Sequence, residues 1–200
     1  MGNNKNGNRA WLNAVKMGVA TFVLATAFTY FSELVVAKLK SVVLSLVFLF
    51  FIVCVHVIFD TIGIAATVAE EAPFHAKRAK KIKGADKAVI IVRNADRVAN
   101  WTNDVIGDIT SIVGGALGAS IVLRLVAANS SINSTLASMT MAGVISALMV
   151  GGKALGKKIA MDRAETIIFT VGRALSWAES FLPVRLTKKG GRRKGEGARK

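Results

Sequence analysis

Proline is nearly absent from this chain. Only Pro73 and Pro183 occur in 200 residues, so little interrupts helix formation. Cysteine occurs once, at Cys54, which excludes an internal disulfide. Acidic residues are scarce, with 12 Asp+Glu against 27 Lys+Arg, for a formal charge of +15. Also missing are a nucleophile–base signature, a phosphate-binding loop and any zinc-type ligand spacing, so no enzyme activity is expected. The longest absence is of charge itself: several runs of about 20 residues carry almost none, enough to span a hydrocarbon core.

What is present is apolar and basic at once. Hydrophobic residues make up 52% of the chain and the mean hydropathy is +0.48, too apolar for an ordinary soluble domain. Both properties in one chain imply segregation, with apolar stretches in lipid and basic stretches at the headgroups. A nucleic-acid binder would also be basic, but it would not carry the uncharged runs, so no nucleic-acid partner is expected.

The pattern along the chain predicts an all-α integral membrane protein with about four transmembrane helices and amphipathic interfacial helices. Residues 17–37 follow a polar start carrying Lys5, Arg9 and Lys16. A signal peptide would share that order, but the run is long and no small-x-small cleavage site precedes Lys38. Residues 41–59 pass without a formal charge, and Asp60 interrupts a run that continues to Ala69. Residues 70–98 carry eight basic and four acidic side chains, while Ile82, Ala85, Val89 and Val92 recur at helical spacing. That spacing predicts one amphipathic helix on the membrane surface. Two further spans, 101–128 and 132–152, flank the turn Asn129-Ser130-Ser131 as a hairpin. Residues 162–182 predict a second amphipathic helix, with Ala164, Ile168, Val171 and Leu175 on one face. The last residues form a basic, glycine-containing tail, expected to be disordered and attracted to anionic lipid.

The domains read as an extra transmembrane helix (1–40), a membrane domain (41–183) and the tail (184–200). Basic loops place 70–98 and the tail in the cytoplasm, with Ser130 outside and both termini inside, in the plasma membrane.

Ionisable groups within a span are costly, a few kcal/mol on insertion scales, and mark candidate sites. Asp60 is apolar on both sides. Asp104 and Asp108 share a face with Asn100, Gly107 and Ser111, which suits an ion path or close helix packing. Alternatively the span begins near Ile109 and leaves both in water. Lys153 either snorkels to the surface or neutralises an aspartate. Cys54 and His56 point to different helix faces, which argues against a shared metal site. Gly114-x-x-x-Gly118 is a small-xxx-small helix contact that could hold a dimer.

Three stretches carry a family resemblance: Phe59-Asp60-Thr61-Ile62-Gly63-Ile64-Ala65-Ala66; Asn94-Ala95-Asp96-Arg97 with Gly115-Ala116-Leu117-Gly118; and Gly152-Lys153-Ala154-Leu155-Gly156-Lys157-Lys158-Ile159-Ala160. From about residue 50 to 183 the chain resembles the transmembrane domain of the cyclin-M and CorC/CorB magnesium transporters. The resemblance implies a homodimer of three-span protomers with an amphipathic helix at the inner surface, 17–37 being an extra span. It implies magnesium as the bound ion. Asp60, Asn103, Asp104 and Asp108 are the candidate ligands, and the register of 100–111 leaves open which residue matches the family's asparagine. The chain departs from the family at Gly63, where an acid or amide is usual, at Lys153, where an acid is usual, and at Gly156, where a proline is usual. The basic tail stands where nucleotide-binding domains would follow, so no nucleotide is expected. Two readings follow: a divalent-cation (magnesium or cobalt) transporter or its regulator, and a non-transporting scaffold that kept the fold and lost the site.

Overall fold

The computed structural model describes residues 4–38 and 41–181. The tail and its lipid contacts therefore lie outside the described residues. The protein is all-α, and there is no strand among the described residues. The helices are α1 (Asn4–Lys38), α2 (Val42–Val68), α3 (Ala72–Ala79), α4 (Ala85–Arg93), α5 (Ala95–Ala99), α6 (Gly107–Ala128) and α7 (Ser134–Phe181). A π-helical turn, Asn100–Ile106, joins α5 to α6. Four segments are long and apolar enough to cross a membrane: Val15–Val35, Val42–Val68, Ala95–Ala128 and Ser134–Ser180.

Two apolar cores hold the bundle. One joins Leu49 and Val53 of α2 to Ile109, Val113, Leu117 and Ile121 of α6 and to Ile145 and Met149 of α7. The other joins Ala65 and Ala66 of α2 to Phe74, Ala88 and Val89 and to Ala160, Ala164 and Ile168 of α7. The turn after α6 and the short helices α3–α5 thus lie at opposite ends of α2. Phe22, Phe31, Phe50, Phe51, Leu123 and Val150 face outward. Such a surface would be an anomaly in water and is the expected one in lipid.

One sequence expectation is corrected. Residues 70–98 are not one amphipathic helix but α3, α4 and α5. The first break contains Lys81 and Gly84, both with positive φ (55° and 92°). Gly84 is required there twice over, by its φ and by contact: a side chain on it would meet the Arg173 backbone nitrogen at 2.7 Å. The second break is at Asn94, whose side chain donates to Ile90 O at 2.8 Å and so satisfies a carbonyl at the end of α4. The second helix expected from residue 162 is present: helical geometry breaks at Arg163 (φ −132°, ψ 28°), and the part of α7 beyond that break, ending at Phe181, packs on α4.

Outside the spans, ion pairs fasten the short helices. Glu71 accepts from His75 Nε2 at 2.7 Å and from Arg93 Nε. Arg78 pairs with Asp86 at 2.6 Å and Lys87 with Glu179 at 2.6 Å. The His75 hydrogen bond, and then the Arg93 guanidinium, hold the Glu71 carboxyl below the ordinary carboxylate range.

α1 is the most peripheral span. It packs on α6, where Met17, Leu24 and Ala25 reach the first core. Ser120 Oγ also donates to Glu33 Oε1 at 3.0 Å.

Candidate functional site

The polar residues of α2 lie between the two cores. Along its buried face, Leu49 and Val53 are followed by His56, Asp60 and Gly63, and then by Ala65 and Ala66. From Leu49 to Gly63 successive members are three or four residues apart, so they form one stripe, turned toward α6 and α7.

Asp60 is the buried carboxylate of this layer. Its side chain is only 10% exposed, and Lys153 Nζ of α7 stands 3.6 Å from its Oδ1. That is an ion pair, longer than a charge-assisted hydrogen bond of about 2.8 Å. Lys153 is itself 42% exposed, so it reaches in from the bundle edge with part of its stem still outside. Of the two alternatives for Lys153, the structure shows pairing.

Lys153 can reach because α2 and α7 cross closely here. A side chain on Gly156 would collide with Thr61 Oγ1, and one on Gly152 with Val57. Thr61 Oγ1 is turned back to Val57 O, to which it donates at 2.7 Å. On the other side of α2, Asn103 Oδ1 and Thr102 Oγ1 of the π-helical turn occupy the space a side chain on Gly63 would need. An amide oxygen from the neighbouring span thus stands against Gly63. The structure pairs Asp60 with Lys153, sets Asn103 against Gly63 and sets Gly156 against Thr61. It leaves Asp104 and Asp108 on the exposed face of their helix. Among the described residues, no three His, Cys, Asp or Glu side chains come together in a way that could hold a metal.

The exposed face bearing Asp104, Asp108 and Ser111 leads into a groove of about 440 Å³ between α6 and α7, lined by Gly115, Ala119, Ser138, Ala142 and Ser146. Gly118 lies on the floor of this groove, and Gly114 lies one turn before it. They pack on Met149 and on Ile145 and Met141 of α7, within the same chain. The small-xxx-small pair is therefore an internal contact and not a free dimer surface.

The residue that sequence reasoning undervalued is His56. It is 1% exposed. Its Nδ1 lies 3.1 Å from Gly107 O and 2.9 Å from Thr110 Oγ1, with Ser111 Oγ at 3.5 Å. Gly107 O can only accept, so Nδ1 carries the proton and donates. The other ring nitrogen, Nε2, is buried without a hydrogen-bond partner. Asp60, which is paired with Lys153, lies one helical turn along the same face of α2. The signal for His56 was its four-residue spacing from Asp60, which puts both on one face.

Compared with family models, with curated proteins and with solved structures, the chain matches none.

Proposed function

We propose that this chain is an ion-handling membrane protein whose internal cation position is held by its own Lys153. One observation carries the reading: the Lys153 ammonium lies 3.6 Å from the buried Asp60 carboxylate. A carboxylate at that depth needs a cation, and a divalent ion with hard oxygen ligands would be the alternative to the ammonium. The resemblance to the cyclin-M and CorC/CorB transporters supports the same assignment, since Lys153 stands where that family carries an acid. Asn103 Oδ1 stands against Gly63 and Thr61 Oγ1 against Gly156, and these are the oxygens the reading assigns beside Asp60. With Lys153 in place the site is closed, and the resting protein is a regulator or scaffold. With Lys153 withdrawn, Asp60, Asn103 and Thr61 form the nucleus of a magnesium or cobalt site.

The same reading places both termini and α3–α5 on the cytoplasmic side of the plasma membrane, with the basic tail on anionic lipid. It also expects a homodimer. Since Gly114 and Gly118 are engaged internally, the surface for a second copy is the small-residue groove around Gly115 and Ala142. Asp104 and Asp108 on its approach then leave lipid on assembly.

The test is magnesium or cobalt flux into liposomes holding the purified chain. Negligible flux for the unmutated protein and measurable flux for Lys153→Ala support the reading. Rapid flux in the unmutated protein contradicts it.

A further inference from the structure

A second binding site lies one helical turn from the Asp60–Lys153 pair. His56 is locked through one nitrogen and idle at the other. Its Nδ1–H is donated to Gly107 O, which fixes the ring and its tautomer. Nε2 therefore carries a bare lone pair, enclosed in the bundle, with no donor to satisfy it. Buried polar atoms without a partner are rare and call for an explanation. A buried histidine held only for structure would engage both nitrogens.

The charged surroundings are specific. From α2 comes Asp60, four residues along the same face. From α7 comes Lys153, already paired with Asp60, and from α6 comes Asp108. The remaining polar groups near the ring are the hydroxyls of Thr110 and Ser111. The Asp60–Lys153 pair thus lies one turn from a ring able to accept one proton.

We propose that His56 is a proton-binding site in the membrane interior, and that a proton on Nε2 competes with the Lys153 ammonium as counter-ion of Asp60. The step is simple. A hydronium ion gives its proton to the Nε2 lone pair: one O–H bond breaks, one N–H bond forms, water leaves, and Nδ1–H stays on Gly107 O. The ring becomes a cation one turn from Asp60, and Lys153 is no longer needed there. The proton-binding half rests on geometry alone. The competition half rests on the reading of Asp60–Lys153 as an exchangeable pair.

The chain has two histidines, so His75→Gln leaves a single imidazole to observe. The experiment is ¹⁵N NMR of histidine-labelled, full-length His75→Gln protein in detergent or nanodiscs, titrated without divalent ions. The expected spectrum at high pH shows a protonated Nδ1 and a bare Nε2, and Nε2 titrates while the protein stays folded. In Lys153→Met the midpoint moves to higher pH by roughly one unit, the order expected when a close like charge is removed. In Asp60→Asn it moves to lower pH. Should either single variant fail to fold, Lys153→Met with Asp60→Asn leaves no orphaned charge. Its midpoint must then lie between those expected of the singles. An Nε2 that stays bare until the protein unfolds overturns the proposal. A midpoint indifferent to Lys153 and Asp60 overturns the competition. Because no metal is present, failure here is separate from failure of the flux assay.

Discussion

The Lys153 ammonium stands 3.6 Å from the Asp60 carboxylate, at the crossing of α2 and α7 and one turn from the idle nitrogen of His56. The pair is lopsided. Asp60 is buried and Lys153 is about two-fifths exposed, so the lysine can leave for the surface and the aspartate cannot. Pair formation is therefore not equally important to the two partners.

That asymmetry makes an unequal mutant pair. Lys153→Met leaves a buried charge without a counter-ion and should cost about 2 kcal/mol. This lies between the small worth of an exposed pair and the larger cost of orphaning a buried charge. Asp60→Asn should cost less, because the freed lysine reaches water. The double replacement should recover most of the loss. A double-mutant cycle from reversible unfolding in detergent measures this, and additive single effects would count against the pairing.

Glycines sort by what faces them. A side chain on Gly118 would meet Ile145 Cδ1 at 2.5 Å, and one on Gly156 would strike Thr61. Gly118→Leu and Gly156→Val should each destabilise the monomer by about 1–3 kcal/mol through overpacking. Gly115 and Gly143 have nothing within 4 Å of a built side chain. Replacing either by Ala should leave the melting temperature nearly unchanged, and if it lowers dimer content in crosslinking, the groove is the assembly surface.

Acid should loosen the short helices. The Glu71 carboxyl is held below its ordinary value of 4.5 by His75 and then Arg93. A depressed carboxylate contributes stability that is fully present above its unfolded-state value and is lost as the pH falls through the folded one. Amide exchange in α3 and α4, corrected for intrinsic rates, should therefore accelerate below about pH 4.5. Glu71→Gln should show faster exchange at neutral pH and no added acid step.

The four spans were legible because lipid demands long uncharged helices, a constraint written directly into composition. The hairpin turn at 129–131 was legible for the same reason. The breaks at Lys81–Gly84 and Asn94 were not, since apolar spacing around Ile82 to Val92 fits one helix as well as two. What decides is tertiary: Gly84 lies against Arg173, and only Gly tolerates that approach. The break near residue 162 was legible because polarity changes there, and helical geometry is interrupted at Arg163. At the site, the Asp60–Lys153 pairing was one of two alternatives that hydropathy alone could not separate. Asn103 filling the place of a Gly63 side chain depends on the π-helical turn, which leaves no mark in periodicity. His56 was visible as a residue, but its bare nitrogen is a property of packing.

The most direct test of Lys153 as a built-in cation is thermal melting in detergent across a magnesium titration, for three proteins. The unmutated chain should show no magnesium-dependent rise. Lys153→Glu should show one, since it removes the ammonium and returns a hard oxygen ligand. Asp60→Asn added to Lys153→Glu should abolish that rise. Stabilisation of the unmutated protein by sub-millimolar magnesium would contradict the account, because the cation position would then be open with Lys153 in place.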